Sequence, residues 1–569
     1  MKEISVAEYL AKFFFENDIK YIFFVPVIGV KLLKALEKYK IRNIIPHSEK
    51  AAAYMADGYA RARNRPSVCM AQSVGSFNLA SGLQDAFLAS SPVVAITGKR
   101  PQHEQLRNAY QEIDHTNLFS VITKYSNYMN SPEFVPSTVN NAFRVSTSSC
   151  PGPVHLDIPG FTGHGLNKMV FTDSGKNYTS YSIPFKRTNP SKIDIDKFFT
   201  LFEKAKYPLF IAGGGTLKSD SGEILQKVIE KYNIPLISTN NGKGIINEDH
   251  ELFFGVAGQY SRESANKILS NSDLLVYLGS KTGSLTTNEW TVPPLETEIV
   301  QVDIEPSEVG KNYPLHLGIV SDLKNFLNII YDFDYNIRCS KKWLDKCLSF
   351  REKWLQKYQS VMTSNNVPIR PERLCYELTK ILPKNGILVS DTGHAGIWSS
   401  TMFEIRENTQ KYFRCSGSLG WAFPASIGIK CACPNKTVIC FTGDGGFWYH
   451  LAEFDTAVKY NINIVTVVNN NHSFNQEKEV NERMFGKKSS KSDELWLLPE
   501  TDFAEIARTM GGIGYSVTEP KDLNKTLLKA ININKPVVVD VKTDINAIAE
   551  PPVVPSKINK NFSFSNSTL

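Results

Sequence analysis

Thr437-Val438-Ile439-Cys440-Phe441-Thr442-Gly443-Asp444-Gly445-Gly446, answered downstream by Ile462-Asn463-Ile464-Val465-Thr466-Val467-Val468-Asn469-Asn470-Asn471, is the passage that decides the fold. Both β-branched runs read as strands. Between them Phe447, Leu451, Phe454 and Val458 recur at helical spacing, and Asn461 turns the chain back. A strand–helix–strand unit of this kind is parallel and right-handed, so both post-strand loops emerge at the carboxyl edge of one sheet. Asp444 and Asn471 are thereby expected to face one ligand.

The residue types say which ligand. A carboxylate, an amide oxygen and a main-chain carbonyl, at Ser473 by spacing, make a hard oxygen set that suits octahedral Mg²⁺ once phosphate oxygens and water complete it. Gly443 and Gly445 allow close backbone approach to a phosphate, and the following helix offers its positive end. The expected occupant is a diphosphate held through a metal. Gly-Asp-Gly alone is an ordinary turn; the spacing of strand, helix, strand and three asparagines carries the reading.

Working outward, β-branched runs alternate with helical periodicity in two further blocks, the pattern of parallel α/β sheets. The first runs to about residue 175, with strands expected at Ile22–Val25, Ile41–Ile45, Ser67–Ala71 and Val93–Thr97. A polar linker, 172–189, leads to a second block over 190–335. There Leu209–Ala212 runs into Gly213-Gly214-Gly215, and Leu274–Leu278 into Gly279. Strands ending in glycine suggest a doubly wound sheet, although three adjacent glycines are not a dinucleotide fingerprint. A charged, aromatic connector, Lys341–Tyr358, precedes the third block, 368–548, and a basic tail closes the chain at 549–569. The expected fold class is α/β, with three doubly wound parallel-sheet domains, and blocks one and three give the impression of related sheets.

Composition narrows the function classes. The net charge of +7 is the difference between 64 basic and 57 acidic residues spread along 569 positions, which argues against a nucleic-acid surface. No apolar run is long enough to span a bilayer, and the amino-terminal region does not read as a signal peptide, so the expected location is cytoplasmic. Nine scattered cysteines read as reduced thiols, and Cys431-Ala432-Cys433 lacks the neighbouring ligands of a zinc motif.

The metal–diphosphate passage resembles that of thiamine-diphosphate (ThDP) enzymes, especially acetolactate synthases and pyruvate oxidases. The likeness covers nearly the whole chain, in the order pyrimidine domain, central domain, diphosphate domain. It implies that Asp444, Asn471 and Ser473 hold Mg²⁺, and that Gly443, Gly445 and Gly446 lie along the diphosphate. Pro46-His47-Ser48-Glu49-Lys50 resembles the segment whose glutamate bonds N1′ of the cofactor pyrimidine, which assigns that role to Glu49. On its own, Glu49 is a first-turn glutamate behind a Ser48 cap. Gly417-Ser418-Leu419-Gly420-Trp421 resembles the segment that grips the pyrimidine, with the Gly417 carbonyl receiving the 4′-amino group and Leu419 as the wedge beneath it. Gly393-His394 resembles the loop on the far side of the diphosphate, and Gln111 matches a glutamine near the reacting centre.

The same resemblance implies decarboxylation of a 2-oxo acid such as pyruvate and transfer of the remaining acyl-anion unit to a second carbonyl compound. It also implies a homodimer or homotetramer with active sites at the subunit interface. Release of an aldehyde by a simple decarboxylase is the first alternative, and a non-catalytic regulatory paralogue the second. Four departures bear on this. The loop Ala71–Asn78 keeps only Gly75 and Asn78 of the family's glycine- and proline-rich form, and Val25-Pro26-Val27-Ile28-Gly29 is bulkier than usual. Ser473-Phe474-Asn475-Gln476-Glu477-Lys478-Glu479 is polar where relatives carry an apolar acceptor pocket, which suggests a polar acceptor such as an aldehyde or keto sugar. Lys281 stands where an FAD-contacting arginine is expected, and lysine lacks the planar fork of a guanidinium, so FAD is left open.

Overall fold

The computed structural model describes residues 2–26, 29–173, 181–294, 296–333, 335, 338–486 and 493–549. Val27 and Ile28, part of the expected linker and all of the tail from Glu550 onward lie outside the described residues. Three six-stranded sheets follow one another along the chain, all parallel, each flanked by helices.

Across the first sheet the strands run Arg42–Ile44, Tyr21–Phe24, Ser67–Ala71, Val93–Lys99, Val154–Pro159 and Ser126–Tyr128. Numbered by position in the chain, that order is 2-1-3-4-6-5. The third sheet, Lys411–Arg414, Ile387–Ser390, Val438–Gly443, Val465–Asn470, Val537–Lys542 and Ile513–Val517, repeats it strand for strand. The middle sheet, Phe253–Val256, Leu236–Ser238, Pro208–Ala212, Leu274–Leu278, Glu298–Asp303 and Leu317–Val320, is instead 3-2-1-4-5-6, the order of dinucleotide-binding sheets. The kinship of the outer blocks is thus a matter of topology, and the centre is a different sheet. Fully buried strands such as Val93–Ile96, Leu274–Leu278 and Val537–Val541 explain the near-continuous apolar runs in the sequence, because helices cover both faces.

The seam between the first and third units is made by equivalent helices, each following the second strand of its own unit. Glu49–Arg63 crosses Ala422–Ala432, and each supplies a glycine on which the other's backbone rests. A Cβ on Gly58 would collide with the Ala425 carbonyl, and one on Gly428 with the Met55 carbonyl. Tyr54, Tyr59, Trp421 and Phe423 fill the same buried cluster.

Two expectations are corrected. The single helix expected after Gly443 is two, Asp444–Trp448 and Glu453–Lys459, separated by the Tyr449–Ala452 turn. The second strand of the deciding passage starts at Val465 and includes Asn469 and Asn470. Both asparagines are buried, and Asn470 donates to the Asp540 carboxylate of the neighbouring strand, 2.8 Å away. A partner 70 positions on makes polar residues acceptable inside the sheet. The charged connector is one long helix, Lys341–Met362, whose Trp343 donates its indole N–H to the Pro208 carbonyl at 2.9 Å.

Candidate functional site

Four loops of the third unit converge at the carboxyl edge of its sheet. Asp444 opens its helix, with its carboxylate at the positive end. One carboxylate oxygen accepts from the Gly445 amide at 2.8 Å and the other from the Ser473 amide at 3.1 Å. Burial nevertheless holds the carboxyl up at about 6, against the lowering effect of the Gly445, Ser473, His472 and Asn471 amides. Asn471 and Ser473 are buried beside it. Next to this charge the fold leaves space: nothing lies within 4 Å of where a Cβ on Gly443 would sit. On Gly445 a Cβ would instead strike the Phe474 ring, so that glycine serves close packing.

Buried side-chain atoms without a hydrogen-bond partner lie in these loops and at the end of the strand that feeds them: Ser473 Oγ, His394 Nδ1 and Asn469 Oδ1. Leaving such a group unsatisfied costs about 1–3 kcal/mol, so three in one neighbourhood call for a polar occupant. Orphaned acceptors and donors beside a buried carboxylate and an open glycine edge fit a metal-held diphosphate. Gly393 has a left-handed φ of 66°, which favours glycine there, and begins the helix that carries His394. His394 meets the Glu479 carboxylate at 3.2 Å through Nε2. Gln476 lies near Gly393, 3.5 Å from where its Cβ would be. The polar run after Ser473 is therefore partly spent on the His394 loop, as the helix Asn475–Phe485.

Asp391, which the sequence reading passed over, ties the loops together. Fully buried, it accepts from the amides of Thr392 at 2.8 Å, Gly420 at 3.0 Å and Ala422 at 3.2 Å. Burial raises its carboxyl to about 6 despite those donors. A second missed carboxylate, Asp85 of the first unit, reaches across the seam. It accepts from the Ser416 amide at 3.0 and 2.9 Å and from the Ser418 amide at 3.2 Å, and pairs with Arg61 at 2.7 Å. The Gly417–Leu419 loop is thus held from the other unit. Gly417 is exposed and Leu419 half-buried, so this leucine is not core.

Glu49 stands where the sequence placed it, first in its helix behind the Ser48 cap, whose hydroxyl accepts from the Ala51 amide at 3.2 Å. Its carboxylate presses on the start of the next helix. A Cβ on Gly75 would be 2.5 Å from Glu49 Oε1, and Asn78 donates to Oε2 at 3.2 Å. The two residues kept from the family's loop are the two that touch Glu49. Gln111 joins this rim: its carbonyl accepts from the Ser73 hydroxyl at 2.8 Å, and its buried Oε1 has no hydrogen-bond partner. Among the described residues, the Glu49 carboxylate bonds within the first unit, to Asn78, and the Asp444 carboxylate within the third, to the Gly445 and Ser473 amides.

Comparison with known proteins agrees in order and extent. Residues 4–118 match the thiamine pyrophosphate enzyme N-terminal TPP-binding domain, residues 195–330 the central domain, and residues 391–541 the C-terminal TPP-binding domain. The chain is 32% identical over 534 residues to the probable acetolactate synthase large subunit of Methanococcus aeolicus, covering 90% of this chain and 87% of that one. The corresponding protein of Methanocaldococcus jannaschii is 32% identical over 561 residues, 95% and 92% of the two chains. The acetolactate synthase large subunit of Haemophilus influenzae is 27% identical over 560 residues, 96% and 95%. No described helix is long and apolar enough to cross a membrane. With three matched domains in series and relatives alike over nine tenths or more of its length, the chain belongs to the thiamine pyrophosphate enzyme family, as a ThDP-dependent enzyme of the acetolactate synthase large-subunit type.

Proposed function

We propose that the protein decarboxylates a 2-oxo acid of the pyruvate type and joins the remaining acyl unit to a second carbonyl compound, using ThDP and Mg²⁺. The observation that carries the reading is the set of orphaned buried atoms around Asp444 beside the open edge at Gly443. Asp444, Asn471 and the Ser473 backbone are the residues that would hold Mg²⁺, with Gly443, Gly445, Gly446, Gly393 and His394 along the diphosphate. When bound, ThDP supplies the electron sink that makes loss of CO₂ from a 2-oxo acid accessible. Glu49 would face the pyrimidine N1′, the Gly417 carbonyl would accept from the 4′-amino group, and Leu419 would pack against the cofactor rings. Gln111 orients the substrate carboxylate or carbonyl through its side-chain amide.

Glu49 and the diphosphate loops meet, in this reading, across a homodimer interface, alone or in a pair of dimers. Exposed Val74 and Phe77, on the Gly75 turn beside Glu49, and exposed Trp448 and Tyr449, after the Asp444 loop, support a covered surface. We place the enzyme in the cytoplasm. Its acceptor is read as more polar than a second pyruvate, an aldehyde or keto sugar, because polar Gln476 and Glu479 lie against the His394 loop. FAD is not built into the mechanism. The cavity between the three units, about 840 Å³ and bordered by Gly215, Asn240, Lys281 and Asp322, has the volume for it. Of the glycines that line it, Gly215 is closely packed, where a Cβ would lie 2.8 Å from the Gly279 Cα, and Gly283 is open. Flavin absorbance of the purified protein tests this directly.

The deciding assay is CO₂ release from pyruvate by purified protein with ThDP and Mg²⁺, one candidate acceptor added at a time. Cofactor-dependent release that an acceptor accelerates, with a new carbon–carbon bond in the product, is the expected result. Free aldehyde as sole product, whatever acceptor is supplied, overturns carboligation; rapid acetolactate formation from pyruvate alone overturns the polar acceptor.

A further inference from the structure

A second cluster of metal-ligating side chains lies in the first unit, away from the Asp444 loops. Adjacent strands Val93–Lys99 and Val154–Pro159 put Thr97 directly opposite Asp157, and His155 two residues earlier points to the same face. The loop after Gln111 brings His115 onto this face. All four are buried. Asp157 Oδ1 lies 3.4 Å from His115 Nδ1 and 3.5 Å from His155 Nε2, and one ligand atom from each of the three residues falls within 4.8 Å of the others.

Proton accounting shows what this geometry lacks. His115 Nε2 faces the Gly98 carbonyl at 3.3 Å. A carbonyl can only accept, so the ring proton is on Nε2 and Nδ1 presents a lone pair. That Nδ1 has no hydrogen-bond partner, and the atom opposite it is a carboxylate oxygen, another acceptor. His155 has Nδ1 on the Ser126 hydroxyl at 2.9 Å, while its inward Nε2 meets the Thr97 hydroxyl at 2.7 Å. Phe119 stacks on its ring at 3.7 Å between centroids and fixes its plane. Outward ring nitrogens bound to a carbonyl and a hydroxyl, with inward nitrogens converging beside a carboxylate, is the arrangement that orients histidines on a metal. A tetrahedron with metal–nitrogen bonds of about 2.0–2.1 Å has edges of about 3.3–3.4 Å, close to the two spacings measured.

We propose that His115, His155 and Asp157 form a structural site for a zinc-class divalent metal, with the Thr97 hydroxyl, 2.6 Å from Asp157 and 2.7 Å from His155, as the neighbouring oxygen. The site pins the loop carrying Gln111 and Asp114 to the sheet and is separate from the magnesium site. Burial pushes His115 down to about 4, keeping the ring in the neutral form a metal requires. It also raises Asp157 to about 7, so that a proton on this carboxyl is the rival occupant and metal uptake releases it.

The test uses the full-length protein, purified without added chelator, analysed for zinc and then reloaded with Co²⁺, whose visible absorption reports tetrahedral nitrogen and oxygen ligands. We expect about one zinc or cobalt per chain, lost in His115→Gln and in Asp157→Asn. Ser126→Ala, which removes only the outer partner of His155, should weaken cobalt binding about 10- to 100-fold in a folded protein. Folded wild type that takes up neither metal, or cobalt binding unchanged in Ser126→Ala and His115→Gln, overturns the proposal. ThDP titration of the same samples keeps the readings apart: ThDP bound without zinc removes only this site, and zinc bound without ThDP removes only the proposed function.

Discussion

The first and third units share a strand order and use the equivalent carboxyl-edge positions in opposite ways. After the third strand, the first unit has Gly75, and the space beside it is filled by the Glu49 carboxylate. After its own third strand, the other unit has Gly443 and Asp444, where the space is open and ringed by unsatisfied buried atoms. After the second strand come Glu49 in one unit and the Gly417–Leu419 loop in the other. One topology thus yields a half-site whose glycine turn is filled by a single carboxyl, and another whose glycine turn is left open. In the proposed function, a ligand between two such halves would take its proton chemistry from the first and its charge binding from the second.

The most severe way to break this division is Glu49→Gln. Turnover should fall by about 10²–10⁴-fold, the range for lost proton-transfer help, while ThDP binding, followed by protein fluorescence, persists. Near-normal turnover removes Glu49 from the mechanism. A paired experiment sharpens the contrast. Gly75→Ala forces a methyl against Glu49 Oε1 and should lower kcat up to about 100-fold through misplacement of the carboxyl, with little change in ThDP affinity. Gly443→Ala puts its methyl into open space, so it should leave the melting temperature unchanged and instead raise the concentration of ThDP needed for half-saturation. Identical profiles for the two variants would erase the distinction.

Gly428→Ala acts on the seam itself. Overpacking against the Met55 carbonyl should cost about 1–3 kcal/mol, read as a lower denaturant midpoint. Smallest is a pH effect at the same seam. His450 packs edge-on against Tyr54, and burial lowers its pKa to about 4. Its folded-state value lies below the ordinary 6.5, so the unfolded chain binds the extra proton first as pH falls. The stability it contributes is complete above about 6.5 and is lost progressively toward pH 4, with a ceiling of about 3–4 kcal/mol. His450→Gln should flatten that part of the stability–pH curve.

Local patterns carried much of this into the sequence. Ser67–Ala71 and Leu274–Leu278 are strands over the residues read as strands, and Ser48 caps the Glu49 helix. The site residues that could be named lie on short motifs with fixed spacing. What escaped depends on distant partners. Asp391 and Asp85 carry no local motif, because, Thr392 apart, the amides they accept from lie 29 to 333 positions away. His115 and His155 are 40 positions apart and meet only through sheet register. The break at Tyr449–Ala452 escaped because helical spacing continues across it.

Asp85 also limits what can be done with the chain as a set of parts. Its carboxylate belongs to one unit while the peptide it organises belongs to another. A diphosphate unit cut free at the connector would carry the whole Gly417–Leu419 loop in sequence but without its clamp, and would inherit unpaired Ser416 and Ser418 amides. Grafting or shuffling these domains between relatives therefore has to move the Gly75–Leu88 helix, which bears Asp85, together with the loop it serves.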